Sequence, residues 1–483
     1  MIYLSLDVGT SAVKVAIVDD GLKQLAHASA GYRYVLAPGE KVELDPDALL
    51  GAIARATGEL DPRLRARVDV VCYDAFSPSP VFLTSSGELA YPNVITHLDR
   101  RSRAQSAHVL ETMGADRFLR ITGLLPFVGG CGLLSLLWLM QDEPELVRRV
   151  HRVGHLTTYL HHLLTGEWTT DRVNASMFGA FETVTERGWS TEVIDAFGLR
   201  AEWLCEPRLP GTPLGNLRPA AASLLGVKAG TPVAVGTNDM AAGHMGAGNE
   251  TAGAMMNAAG SSEMVSILTD VPAVDPRYYL RCAALPGLWQ IYATTAGGFA
   301  LEWFRERFAR EVPQDDFYRE LLPSAVARYL DVESVTFEPF LTGDRQSLDP
   351  RTGGWSGLTL GTTREEMLVA MLRAMVRVLA GTVRLAADVV AIEPAMAVSG
   401  GLGAEAILAL KRRELGGIEL RPVSNAVLLG NVRLVQRRTD AAAEAGGSGL
   451  PVVPRGAHDL RAVRGSGEDF TTPPMSGTVH LLD

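Results

Sequence analysis

Leu4-Ser5-Leu6-Asp7-Val8-Gly9-Thr10-Ser11-Ala12-Val13-Lys14 is the stretch from which the fold is read. Residues Ile2 to Leu6 and Val13 to Val18 are β-rich runs, and the Asp7-to-Ala12 segment between them is a tight hairpin signal. Gly21 closes the second run before another strand near Leu25 to Tyr34, so three antiparallel strands form a meander at the N-terminus. An Asp at a strand end can hold Mg²⁺ directly or through water. Beside Asp7, Gly9 lets the backbone come close, and Thr10, Ser11 and Lys14 offer hydroxyl and ammonium groups to anionic oxygens. A plain hairpin with a polar tip fits the same residues, and the passage does not match a Gly-x-x-x-x-Gly-Lys-Ser/Thr loop.

Further along, helical patterns appear at Asp45–Ala56, Arg101–Thr112 and Leu133–Met140, with a strand at Val68–Tyr73 between the first two. The N-terminal half is therefore α/β. The strand Pro232–Gly236 then runs into Thr237-Asn238-Asp239 and a small-residue helix from Met240 to Gly248. Asp239 sits where it could take the proton of an acceptor hydroxyl as general base; the N-cap of the helix is the competing role. Two more strands, Gly253–Asn257 and Met264–Leu268, flank Ala259-Gly260-Ser261-Ser262 and repeat the strand, small polar turn, strand layout of the N-terminus. The repeat predicts two related domains meeting near Gly243 to Thr251. A helix at Phe299–Phe308, a Gly/Pro-rich loop at Pro339–Leu358 and a long helix from Arg364 to about Val390 follow. The strand Ala395–Val398 then enters Ser399-Gly400-Gly401-Leu402-Gly403, a glycine turn that could seat a nucleotide on a helix N-terminus. From Asp440 onward periodicity ceases, which predicts a flexible tail.

Composition bounds the rest. At 483 residues the chain exceeds the ~250–300 that one core serves, so two large domains are expected. With 45 Lys+Arg against 55 Asp+Glu the net charge is −10, which argues against nucleic-acid binding. The short cluster Lys411-Arg412-Arg413 reads as a solvated helix face. Cys72, Cys131, Cys205 and Cys282 show no metal-ligand or disulfide spacing and read as small buried side chains. His155, His161 and His162 have no acid partner at metalloenzyme spacing and read as packing residues. The N-terminus lacks a basic, then apolar, leader, and the apolar run Cys131–Met140 is about half of the ~20 residues a bilayer requires, so a cytoplasmic protein is expected.

Taken in order, these segments resemble the FGGY carbohydrate kinases, within the actin-like ATPase superfamily. The opening stretch looks like that family's first phosphate motif. Glu43-Leu44-Asp45-Pro46 and Thr165-Gly166-Glu167 with Thr170-Asp171 and Ala175-Ser176 resemble further landmarks. Val235–Gly243 resembles the segment bearing the catalytic base, Gly353–Leu358 with Glu366-Met367 the C-terminal signature (Arg373 replacing the expected acid or amide), and Val398–Gly401 the adenosine motif.

The resemblance covers about residues 1–435 and implies an α/β fold of two ribonuclease H-like domains with a central cleft: 1–243, 244–438 and an appended stretch, 439–483. It implies phosphoryl transfer from ATP to a hydroxyl of a sugar or polyol, with Mg²⁺. By carry-over Asp239 is the base, Asp7 and Asp239 hold the metal, and Gly9, Thr10, Ser11, Lys14, Gly260 and Ser261 face the phosphates. Gly298, Gly400 and Gly401 flank the nucleoside. Tyr73-Asp74-Ala75-Phe76-Ser77 replaces the Gly-Gln-Met-His-Gly segment of xylulokinases, which argues against D-xylulose. Ser77, Asp99 and Arg100 are substrate candidates by location. Leu429-Gly430-Asn431 replaces a Leu-Gly-Ala-Ala helix. A sugar- or nucleotide-binding sensor and an ATPase acting on a protein partner are the alternatives, and a homodimer fits either.

Overall fold

The protein was analysed as a computed structural model describing residues 1–260, 262–341, 348, 351–400 and 405–444. Expectations for Ser261, Gly401 and the stretch from 445 onward lie outside the described residues.

The predicted meander is present as β1 (Ile2–Val8), β2 (Ala12–Asp19) and β3 (Gln24–Gly31), paired antiparallel in that order. β1 is buried along almost its whole length, and such strands read as near-continuous apolar runs because both faces are covered. Asp45 caps α1 (Pro46–Gly58), accepting from the Asp47 N–H at 2.9 Å with Pro46 in the first turn. β4 (Val70–Ala75) lies parallel to β1, and β5 (Pro213–Asn216), β6 (Pro232–Ala234) and β7 (Thr237–Asn238) complete a seven-stranded sheet. The strand expected over Pro232–Gly236 ends at Ala234 as β6, and the Thr237-Asn238 passage that follows it forms β7; both are parallel to β4. Between them, the Gly236 N–H donates to His161 Nε2 at 3.0 Å instead of to the ladder.

The short α2 (Arg172–Ser176) precedes β7 in the chain and packs against it, and α3 (Asp239–Ala247) leads out of β7 into the second sheet. That sheet has six strands: β8 (Met255–Ala259), β9 (Glu263–Thr269), β10 (Tyr279–Cys282), β11 (Trp289–Thr295), β12 (Ala395–Ser399) and β13 (Glu419–Pro422). β8 pairs antiparallel with β9 and parallel with β12, as β1 pairs antiparallel with β2 and parallel with β4. The repeated layout read from the sequence is thus a repeated sheet, and the fold is α/β with two ribonuclease H-like units.

Helices cover the second sheet: α4 (Gly297–Phe308), α5 (Arg364–Ala387) and α6 (Glu405–Leu415). Thr363 caps α5 by accepting from the Glu366 N–H at 3.2 Å. The last helix, α7 (Ala426–Glu444), leaves the second sheet, crosses α3 and lies on β1 and β4 of the first. It runs through position 439, and position 243 falls inside α3. The crossing is close: a Cβ on Gly430 would overlap the Ala242 carbonyl oxygen, and one on Gly246 the Ala426 carbonyl oxygen.

One expectation is corrected. Lys411 is not on a solvated face but 1% exposed, its Nζ 2.5 Å from Glu263 Oε1 and 2.7 Å from Asn257 Oδ1. Arg412 and Arg413 do make surface ion pairs, with Glu405 and Asp331. The cluster straddles the packing face of α6, so its first member points inward while the next two point out. All four cysteines are free and buried, and His155, His161 and His162 are buried, in keeping with their packing roles.

Candidate active site between the two sheets

The backbone register places the first cluster. Lys14 on β2 faces Asp7 on β1, Asp7 faces Asp74 on β4, and Asp74 faces Thr237 on β7. This row of four residues crosses the sheet at the C-terminal ends of its parallel strands, where ligands of open α/β sheets gather. Asp239 follows two residues after Thr237.

The side chains close the arrangement. Lys14 Nζ lies 3.2 Å from Asp7 Oδ2, and its ammonium is held above the usual lysine range first by Asp7 and further by Asp74 and Asp239. Burial pushes the Asp74 carboxyl well above the ordinary carboxylate range, and the charges of Asp7 and Asp239 push it the same way. Asn431 on α7 opposes this shift, its Nδ2 donating to Asp74 Oδ2 at 2.6 Å and to the Leu6 carbonyl at 3.1 Å.

Asn238, not Asp239, is the N-cap of α3, its side chain accepting from the Met240 N–H at 3.0 Å. Asp239 Oδ1 shares that donor at 2.7 Å, and its side chain is partly exposed where the two units meet. Burial lifts its pKa to about 6, with Asp7 adding to the shift and the Met240 N–H and Arg281 reducing it. Behind it, Asp171 caps α2 through the Val173 and Asn174 N–H groups, both at 3.1 Å, and accepts from Thr237 Oγ1 at 3.1 Å. The landmark Asp171 therefore ties the helix cap to the strand that carries Asp239.

Gly9, Thr10 and Ser11 form the β1–β2 tip, where the Gly9 N–H donates to the Ala12 carbonyl at 3.1 Å and the Tyr32 hydroxyl donates to the Gly9 carbonyl. On the second sheet, Gly260 and Gly298 meet: the Gly298 N–H donates to the Gly260 carbonyl at 3.0 Å. Gly400 backs onto the same place at φ +101°, a conformation that favours glycine, where a Cβ would overlap the Ala259 carbonyl oxygen. A cleft of about 390 Å³ runs from Asp7 and Lys14 to Ser399, Gly400 and Asn425, within the range of small-molecule sites.

Ser77 lines a separate crevice with Gly130, Tyr279 and Arg281 and donates to Asn174 Oδ1. Asp99 and Arg100 are not brought into either space as lining residues. Asp99 is 2% exposed, accepting from the Val42 N–H at 2.8 Å and pairing with Arg101 Nη2 at 2.6 Å, in a network that reaches the landmark Glu43. Arg100 donates to the His97 and Asp99 carbonyls, both at 2.9 Å, beneath the Gly129-Gly130 turn. Sequence reasoning missed Asp74, Tyr32 and Arg281. Of these only Asp74 carried a signal, as the polar residue in an otherwise apolar strand.

Asp7 and Asp239 suit a hard divalent cation: Asp7 lines the cleft, Asp239 lies within electrostatic reach of it, and Mg²⁺ commonly takes one or two carboxylates and completes its shell from phosphate and water. Burial raises both Asp74 and Asp239 and the charge of Asp7 adds to each shift, and a cation there would offset that added repulsion. No group of three or more His, Cys, Asp or Glu side chains with metal-binding geometry occurs among the described residues. No helix among them is long and apolar enough to cross a membrane.

Comparison with known proteins agrees with this geometry. A gluconokinase of Bacillus licheniformis is 22% identical over 384 residues, covering 77% of this chain and 74% of the relative. An L-fuculokinase of Salmonella typhi is 27% identical over 390 residues, covering 77% and 78%. Among solved structures, a xylulose kinase from Rhodospirillum rubrum superposes with a TM-score of 0.77 at 22% identity, covering 93% of this chain and 91% of that one. A Plasmodium falciparum glycerol kinase with ADP reaches 0.75 at 16% identity, covering 92% of each. Residues 2–246 match the profile of the FGGY family of carbohydrate kinases, N-terminal domain, and the chain belongs to that family, in which ATP is the phosphate donor.

Proposed function

We propose that the protein transfers the γ-phosphoryl group of ATP to a hydroxyl of a small sugar or polyol, with Asp239 accepting the proton of that hydroxyl. The observation that carries this reading is Asp239 itself: a carboxylate on a capped helix start, partly open where the units meet, with its pKa lifted to about 6. A base poised near neutrality takes a proton readily yet stays ionised at pH 7.

The remaining roles follow from position. Lys14, Thr10, Ser11 and the Gly9 backbone approach the β- and γ-phosphates from the first unit; Gly260 approaches them from the second. Gly298 and Gly400 border the nucleoside. Asp7 and Asp239 hold Mg²⁺, which when bound neutralises charge on the transferring phosphoryl group. Ser77 touches the substrate, while Asp99 and Arg100 support the Gly129-Gly130 wall of its pocket. Positioning and charge neutralisation carry most of such a reaction, so the units, taken as 1–243 and 244–438 with 439–483 appended and α7 bridging back, close to exclude water. The reaction belongs in the cytoplasm, where ATP is available.

Coupled ATP turnover across pentuloses, hexuloses, polyols and sugar acids tests the proposal. Sugar-stimulated ADP release is expected. Retained sugar or nucleotide binding without ADP release would overturn it in favour of a sensor, and peptide-stimulated hydrolysis in favour of an ATPase acting on a protein.

A further inference from the structure

The crevice containing Ser77 is shared by both units: Ser77, Pro78 and Met177 come from the first, Tyr279, Arg281 and Tyr292 from the second. Arg281 is 3% exposed and has no carboxylate within ion-pair distance among the described residues. Its guanidinium carbon lies 3.4 Å from the centroid of the Tyr292 ring, and its Nη1 contacts Met177 Sδ at 2.7 Å, a weak acceptor. Nε and Nη2 have no hydrogen-bond partner among the described residues.

Arginine cannot shed its proton to escape burial, and an uncompensated buried charge is strongly destabilising. The two empty donors are also the pair whose N–H bonds run parallel along one edge of the guanidinium, the fork that a carboxylate fills with two hydrogen bonds. A lone hydroxyl could satisfy one of them and would leave the charge uncompensated. The free space is about 20 Å³, room for roughly one water-sized group, so a carboxylate enters only as the crevice opens. Its walls belong to different units, so their separation widens it. Arg281 also lowers the pKa of Asp239, which places the two groups within electrostatic reach of each other.

We propose that Arg281 receives the carboxylate of the acceptor, so that the substrate is a sugar acid held at one end by this fork while a hydroxyl further along its chain meets Asp239. The proposal deepens the kinase reading and rests on it only for the meeting of that hydroxyl with Asp239. Arg281 is then the specificity-determining residue, and neutral polyols are poor substrates because they leave the fork empty.

The test compares acids with neutral analogues of the same carbon number, D-gluconate against D-glucitol and D-xylonate against xylitol, by kcat/KM and by calorimetric binding. The wild type should favour the acids by ~10² or more, since leaving a buried charged donor pair unmet is costly. Arg281→Met should bring the ratio close to one, chiefly through KM, and Arg281→Lys should restore part of it by keeping the charge without the fork. A merely structural arginine would lower both members of each pair alike, and that result overturns the proposal. Equal use of acid and alditol by the wild type, or neither binding, also overturns it. Acids that bind through Arg281 without ADP release would support the site while defeating the kinase reading. Phosphorylation of neutral sugars with no binding of acids would do the reverse.

Discussion

Asn431 on the last helix donates to Asp74 on the first sheet at 2.6 Å, across 357 positions of sequence. Both residues are buried, and each gives the other a partner. An aspartate buried beside Asp7 and Asp239 needs a donor, and the Asn431 amide supplies one. The pair is one coupled feature of the interface between α7 and the sheet.

Asn431→Ala should therefore cost about 1–3 kcal/mol, the penalty for a buried polar group left without its partner. In an Asp74→Ala background the same change should cost much less. A double-mutant cycle by urea unfolding measures the difference, and additive effects would count against the coupling.

The pH dependence of stability has a defined sign. The folded pKa of Asp74 lies well above its unfolded value, so the group contributes stability that is fully present below the ordinary aspartate range and is lost as pH rises through the folded value. Asp74→Asn keeps an acceptor for Asn431 but does not titrate. The variant should gain on the wild type as pH rises above the ordinary aspartate range, read from urea midpoints, and a constant difference would contradict the assigned shift.

Asp239→Asn should lower turnover by ~10²–10⁴ while ATP binding stays nearly intact, as expected for loss of a general base. The ionised form is the active one, so wild-type kcat/KM should fall as pH drops through about 6 and level off above it. A profile flat across that range, or near-normal turnover in the variant, would remove Asp239 from the role.

Lys411→Met should destabilise by about 3–5 kcal/mol, because Glu263 would be left as a buried unpaired carboxylate. Adding Glu263→Gln should recover much of that loss. Thermal and urea unfolding of the two variants checks both statements, and a small effect of the single change would place the pair in solvent.

Gly430→Ala should be among the most damaging single methyl additions in the chain. Its Cβ would overlap the Ala242 carbonyl oxygen, backbone that cannot turn aside, and overpacking typically costs 1–3 kcal/mol or more. A matched control at Gly39 meets nothing within 4 Å, although its positive φ adds some strain, so the contrast in unfolding midpoint isolates the steric term.

What the sequence determined by itself is local or repetitive. The β1–β2 hairpin, the second hairpin around Gly260, the capped helix after Asp239 and the two-unit α/β plan all follow from short patterns, because period, turn chemistry and caps act between residues a few positions apart. Asp239 and Lys14 were legible for the same reason. Only the tertiary structure decided which distant groups share a dielectric. It turned Lys411 inward to Glu263, made Asp74 a third carboxylate of the site, sent α7 back to the first sheet and left two donors of the buried Arg281 without a hydrogen-bond partner among the described residues. Desolvation and pairing depend on what packs around a charge from elsewhere in the chain, and no local pattern encodes that.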